Sequence, residues 1–245
     1  MPSEPIRIAV AQAVAVPGDV ERNVATTARL IRTAQADVVV FPELFLCCYD
    51  LEAVADVTED DPRLEPIRGA CRDAGSTAVV GASVRVGDAR RISALVIGPG
   101  GETVARADKQ YVDRSELRLF EPGEPASFEL KGWQLAIGIC RDGTFPEHAR
   151  AAALAGAHVY LCPVSHEHVS VVHPARAFEN TMYVALSNHV GQNANGHSTL
   201  YGPEGEVLAD AGEADERIVS VELDPRRLAE LRERRPVLAE ATTRR

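Results

Sequence analysis

The 245-residue chain is 45% hydrophobic and 25% charged, enough apolar material for one domain to bury a core without disulfides or metal. Acidic side chains outnumber basic ones 36 to 26, and the net charge of -10, with no basic patch to override it, excludes a phosphate backbone as partner. No stretch approaches the ~20 continuous apolar residues of a membrane span and no basic segment leads into an apolar run, so a cytoplasmic protein with no nucleic-acid or membrane partner is expected.

Strand-like and helix-like stretches alternate without a repeat or low-complexity linker, which predicts a single α/β domain over residues 1–245 with its core at about 6–223. Ile6 to Ala11 is largely apolar and rich in β-branched residues. Val20 to Thr33 has helical spacing through Val24, Ala28, Leu30 and Ile31, and Val38 to Phe41 is a solidly apolar strand. Leu64 to Ala74 predicts a second helix and Ala78 to Val86 a strand; Ser93 to Ile97 and Glu102 to Ala105 flank a Gly98-Pro99-Gly100-Gly101 turn. A strand over Gln134 to Cys140, a helix over Phe145 to Ala155 and a strand over Val159 to Cys162 follow. Then come a helix over Pro174 to Glu179 and strands over Tyr183 to Ser187, Ser198 to Tyr201, Val207 to Ala209 and Arg217 to Glu222. Hairpins mixed with crossovers imply sheets covered by helices on one face, with their other faces buried together. From Pro225 to Arg245 a charged amphipathic helix gives way to a polar tail.

The five cysteines are odd in number and show neither paired nor zinc-like spacing, which favours reduced thiols. Cys140 differs from the rest in its surroundings. A strand runs into it, and Thr144 with Glu147 fits a capping box, with Pro146 in the first turn of the helix that follows. That places Cys140 near the positive end of a helix dipole, which favours thiolate and lowers its pKa. Glu43 follows the apolar run Val38-Val39-Val40-Phe41-Pro42, where partial desolvation raises a carboxyl toward a base's working range. Lys109, one of two lysines in the chain, follows the strand ending at Ala105 and could supply a fixed cation to a developing oxyanion. Taken singly, each has a plainer reading: a buried thiol filling space, a solvated loop glutamate, a surface lysine.

Together these segments resemble the nitrilase (carbon-nitrogen hydrolase) superfamily, in its amidase-like branch, from Ile6 to about Leu238. Phe41-Pro42-Glu43-Leu44, with Tyr49 shortly after, is similar to the segment carrying that family's general base. Lys109 followed by Glu116-Leu117-Arg118-Leu119-Phe120-Glu121-Pro122-Gly123 is similar to its lysine segment with an additional glutamate. Gly138-Ile139-Cys140-Arg141-Asp142-Gly143-Thr144-Phe145-Pro146-Glu147 is similar to its nucleophile segment, and Ala175 to Asn180, Asn188 with Gly191, and Gly196 to Gly205 match further.

The resemblance implies a four-layer α-β-β-α sandwich and hydrolysis of a small linear amide through a cysteine thioester, with no cofactor and no metal. It assigns Cys140 as nucleophile, Glu43 as base, Lys109 and the Arg141 backbone N–H to the oxyanion, and Glu116 as support. It also implies a small-molecule amide as partner and a homodimer or higher homo-oligomer. Arg141, Thr144, Tyr111-Val112 and Cys48 depart from common members. Tyr49, Arg141, Thr144 and His166 are therefore candidates for the substrate pocket, with His168 and His173 in the same loop. The Arg141 guanidinium could pair with a substrate carboxylate, as an ω-amidase requires, or could be a rim arginine paired with Asp142 or Glu147. A carbamoyl substrate is the closest rival, and the same residues would also suit a nitrilase, an acyltransferase or an inactive scaffold.

Overall fold

A computed structural model describes residues 1–166, 171–191, 194–213 and 215–243. Its first half holds β1 (Ile6–Gln12), α1 (Val20–Ala34), β2 (Val38–Val40), β3 (Asp56–Val57), α2 (Glu65–Ala74), β4 (Thr77–Val86), β5 (Ala89–Ile97) and β6 (Thr103–Asp108). Next come β7 (Ser127–Leu130), β8 (Trp133–Ile137), α3 (Pro146–Leu154), β9 (Val159–Val164), α4 (Val172–Asn180) and β10 (Tyr183–Asn188). The chain closes with β11 (Val190–Gly191), β12 (Ala194–Asn195), β13 (Thr199–Tyr201), β14 (Val207–Asp210), β15 (Arg217–Leu223), α5 (Pro225–Arg234) and α6 (Val237–Thr243).

Two sheets carry the architecture, one in the order β15-β1-β2-β4-β5-β6 and the other β14-β13-β10-β9-β8-β7. Each has a parallel centre, β1-β2-β4 in the first and β8-β9-β10 in the second, flanked by antiparallel strands. Strand alternation sorts the side chains into three cores. Ile8, Val10, Val38 and Val40 of the first sheet meet Leu135, Ile137, Leu161 and Ala185 of the second between the sheets. On the outer face of the first sheet, Val39 and Val80 pack with Val24, Ile31 and Ile67 from α1 and α2. On the outer face of the second, Tyr160, Cys162 and Val184 pack with Ala149, Ala153 and Ala177 from α3 and α4. The result is the expected α-β-β-α sandwich. Among the described residues no helix is long and apolar enough to cross a membrane.

Some local expectations fail. The strand predicted over Gln134 to Cys140 ends at Ile137, and Cys140–Thr144 forms a 3-10 turn instead. Thr144 and Glu147 do not build a capping box: Phe145 is the N-cap of α3, without a side-chain cap, although Pro146 does take the first helical position. The two-residue β3 and the polar hairpin strand β7 lie outside the elements expected from periodicity, because each alternates too briefly to carry a signal.

Candidate active site

Two strands of the first sheet and two of the second deliver side chains to one end of the sandwich. The turn after β2 carries Glu43. Its backbone is pinned to both sheets: Phe41 N–H donates to Val79 O at 2.8 Å, Leu46 N–H to Gly81 O at 3.0 Å, and Glu43 N–H to Val164 O at 3.4 Å. His189, held neutral mainly by burial with a pKa near 4, bonds its Nε2 to Glu43 O at 2.6 Å. Gly81 is required for this approach, since a Cβ there would lie 2.0 Å from Pro42 O.

β6 extends to Asp108, three residues beyond the predicted end, and so delivers Lys109 directly from its terminus. Lys109 Nζ donates to Glu43 Oε1 at 2.7 Å and to Glu116 Oε1 at 2.8 Å. Glu116 also accepts the Tyr49 hydroxyl and, through Oε2, the Asp113 N–H at 2.7 Å. All three charged side chains are buried, with Glu43 and Glu116 at 0% exposure and Lys109 at 1%. Burial lifts the Glu43 carboxyl from its ordinary 4.5 to about 7; Lys109 opposes that rise, Glu116 adds to it, and the Cys140 thiol draws it down slightly. Glu43 Oε2 is buried and, among the described residues, accepts no hydrogen bond of ordinary geometry. For Lys109, burial pulls the ammonium down, but Glu43, Cys140 and Glu116 outweigh it and hold the charge firmly on.

Cys140 opens the 3-10 turn after β8 with φ at 47°, a left-handed conformation that a side chain rarely adopts. Gly138 just before it lies on Tyr160, where a Cβ would stand 1.6 Å from the phenol oxygen. Burial and then Glu43 push the Cys140 thiol well above its ordinary range, against weaker pulls from Lys109 and the Ser165 N–H. The helix-dipole expectation of a lowered pKa is thus corrected, because desolvation outweighs the short turn that follows. The site holds a neutral thiol beside a carboxyl that titrates near neutrality.

Asp142 is a positioning residue that the sequence alone does not single out. Its Oδ2 accepts from Ile139 N at 2.9 Å, and its Oδ1 accepts from Gln110 N at 3.1 Å and Tyr111 N at 2.8 Å. One carboxylate thus ties the lysine segment to the nucleophile turn. Tyr111 reinforces the tie by stacking on Phe145, with centroids 3.7 Å apart. Arg176 braces the far end of the same turn through Gly143 O at 2.8 Å and Thr144 O at 2.9 Å. Asn188 holds His166 from the second sheet, accepting its N–H at 3.2 Å and donating to its carbonyl at 3.0 Å.

A cavity of about 290 Å³ opens here, walled in part by Tyr49, Lys109, Glu116, Cys140, Arg141, Thr144, His166 and His173. All four pocket candidates are brought together there. His168 lies outside the described residues. Arg141 sits at the lip and bonds Asp113 at 3.0 Å rather than Asp142 or Glu147, with its guanidinium over the Phe145 ring. An apolar hollow of about 280 Å³ lined in part by Ala136, Ile137, Ala151 and Ala155 has no carboxylate or thiol among its described lining residues. Among the described residues, no group of three His, Cys, Asp or Glu side chains is placed to hold a metal ion.

Comparison with known proteins matches residues 7–233 to the carbon-nitrogen hydrolase family. A hydrolase encoded in the pqqF 5' region of Pseudomonas protegens is 34% identical, over 93% of this chain and 86% of that protein. A nitrilase from Pyrococcus abyssi is 32% identical, over 83% of this chain and 84% of that protein. Among solved structures, an amidase from Nesterenkonia sp. superposes with a TM-score of 0.80 at 30% identity, covering 94% of this chain and 95% of that one.

Proposed function

Because the chain belongs to the carbon-nitrogen hydrolase family, we propose that it hydrolyses a small linear amide to a carboxylic acid and ammonia, with Cys140 as nucleophile. The observation that carries this reading is the buried Glu43–Lys109 contact at 2.7 Å, made by a lysine that lines the same cavity as Cys140. Likeness to the Nesterenkonia amidase supports an amide as the bond cleaved.

In this reading the thiol proton passes to the Glu43 carboxylate as Sγ attacks the amide carbon, so no preformed thiolate is needed. The carbonyl electron pair moves onto oxygen, where Lys109 Nζ and the Arg141 N–H oppose the charge. Glu43 returns the proton to the amine nitrogen, the C–N bond breaks, and ammonia leaves a thioester on Cys140. Water, deprotonated by Glu43, then attacks the thioester and restores the thiol. A base at about 7 suits both directions of this traffic, since the same group must accept and donate near neutral pH. Glu116 acts through its hold on Lys109, and Asp142 through the backbone N–H groups of Gln110, Tyr111 and Ile139, which tie the lysine segment to the nucleophile turn. The five free cysteines suit a reducing compartment such as the cytoplasm.

The test is ammonia release by wild type and Cys140→Ala against short amides, ω-amido acids, carbamoyl amines and nitriles, with mass spectrometry for a substrate-sized adduct on Cys140. Turnover of amides that vanishes in the variant supports the reading. Turnover confined to nitriles or carbamoyl amines, or silence across the panel, overturns it.

A further inference from the structure

Behind the nucleophile turn lies a buried polar chain that the hydrolytic scheme does not use. His148, in the first turn of α3, is 7% exposed, and its Nδ1 lies 2.8 Å from the Tyr160 hydroxyl, the same oxygen that crowds Gly138. Its other ring nitrogen, Nε2, is buried and has no partner at hydrogen-bond distance among the described residues. Nε2 instead faces Asp142 Oδ2 at 3.9 Å. His148 is not among the described residues that line the catalytic cavity; it lines the apolar hollow on the outer side of the second sheet. One ring therefore touches both that hollow and the carboxylate that ties the lysine segment to the nucleophile turn.

A neutral imidazole has two tautomers, and the neighbours of His148 select one. With the proton on Nδ1, the Nε2 lone pair would face a carboxylate oxygen, two acceptors opposed where little solvent screens them. With the proton on Nε2, the N–H dipole points at the carboxylate and Nδ1 accepts from the Tyr160 hydroxyl. Burial lowers the His148 pKa against the opposing pull of Asp142, which keeps the ring neutral at neutral pH. Asp142 in turn does its work in one orientation only, with Oδ2 toward Ile139 N and Oδ1 toward Gln110 N and Tyr111 N. An N–H directed at Oδ2 favours that orientation.

We infer that His148, with Nδ1 on the Tyr160 hydroxyl and Nε2–H toward Asp142, is a positioning residue that fixes the Asp142 carboxylate and through it sets Cys140 and Lys109 against each other. This rests on the amide-hydrolysis reading above.

Two measurements test it. In resting wild type, ¹H–¹⁵N correlation of the histidine rings should show His148 protonated at Nε2 and bare at Nδ1; a proton on Nδ1 overturns the proposal. The second is chemical rescue. His148→Ala joins the space of the lost ring to the hollow, whose lining residues Ala151 and Ala155 are exposed, so an added small ring can enter from outside. The variant should lose about tenfold in kcat with KM little changed, because the fault lies in alignment and not in substrate contact. Imidazole should restore kcat, whereas 1-methylimidazole, which fills the same space without an N–H, should not. Equal rescue by both, rescue by neither, or a loss confined to KM overturns the proposal. Should His148→Ala fail to fold, the wild-type tautomer decides. A wild type silent toward amides counts against the hydrolysis reading alone, since the tautomer is read without turnover.

Discussion

Lys109 Nζ lies 2.7 Å from Glu43 Oε1, and neither side chain is more than 1% exposed. With Glu116 on the other side of the ammonium, two carboxylates share one cation, and the cluster as a whole is anionic. Burial is the main cause of the high Glu43 pKa, and the Glu116 carboxylate adds to it against the opposing pull of Lys109.

Replacing Glu116 by Gln removes its contribution while keeping an acceptor for Lys109. The Glu43 pKa should fall below about 7, moving the acid limb of the kcat/KM profile to lower pH. The looser lysine should lower kcat by about 10- to 100-fold. A pH–rate profile settles both, and an acid limb that stays in place or moves up would contradict the electrostatic account.

Lys109→Met leaves two buried carboxylates without their cation. Losing one partner of such a cluster costs about 3–5 kcal/mol, and losing an oxyanion donor costs about 10²- to 10³-fold in rate. The sign with pH follows from Glu43. Its folded pKa of about 7 stands above the ordinary 4.5, so its favourable contribution is full below about 4.5 and is lost as pH rises through 7. Without Lys109 that window extends further upward. Urea midpoints at pH 6 and 8 should therefore separate more widely in Lys109→Met than in wild type.

Cys140 adopts φ at 47°, which glycine accepts and alanine does not. Cys140→Gly should be more stable than Cys140→Ala by about 1 kcal/mol, read from urea unfolding, although both lose the nucleophile and its activity. Equal midpoints would mean that the turn relaxes when the sulfur is removed.

Gly81→Ala tests the seat of Glu43 from behind. The new Cβ would fall 2.0 Å from Pro42 O and 2.6 Å from Leu44 N, both backbone atoms that can yield only by moving the Glu43 turn. Overpacking of this kind costs about 1–3 kcal/mol. A lowered melting temperature should come with a lower kcat in the fraction that remains folded.

Asp113→Asn should release Arg141 at the cavity lip while keeping the side-chain oxygen that accepts from Ser115. A freed guanidinium can pair with a substrate carboxylate, so KM for succinamic acid should fall several-fold relative to butanamide. An unchanged ratio would show that the guanidinium does not reach the bound acyl chain.

The residues that sequence makes legible are those whose position along the chain sets their place in space. Glu43 and Lys109 follow strand ends, and Cys140 stands between a strand and a helix, positions that become legible once the surrounding segments are seen to resemble the family's. Apolar strands alternating with amphipathic helices imply sheets covered by helices on one face, and the resemblance adds the four-layer α-β-β-α order. Asp142 is illegible because its work is done on backbone N–H groups 31 and 32 residues away, which no local pattern encodes. The same holds for the left-handed backbone of Cys140. The direction of the Cys140 pKa shift is misread from sequence because a dipole's direction shows there, whereas the depth of burial that outweighs it does not.

The pairing of β1 with β15 bears on how the chain is made. Register runs from Ile6 opposite Leu223 to Gln12 opposite Arg217, so strands more than 200 residues apart close one side of the first sheet. As the chain leaves the ribosome, β1 and β2 can pair early, but the other edge of β1 stays open until β15, more than 200 residues later, has been synthesised. That edge belongs to Ile6, Ile8 and Val10, all destined for complete burial, and is the kind of unpaired apolar strand that recruits a neighbouring chain. Pairing at such sequence separation is also slow. A truncation that removes β15 should therefore yield aggregate during expression, even though it spares every residue assigned to the chemistry.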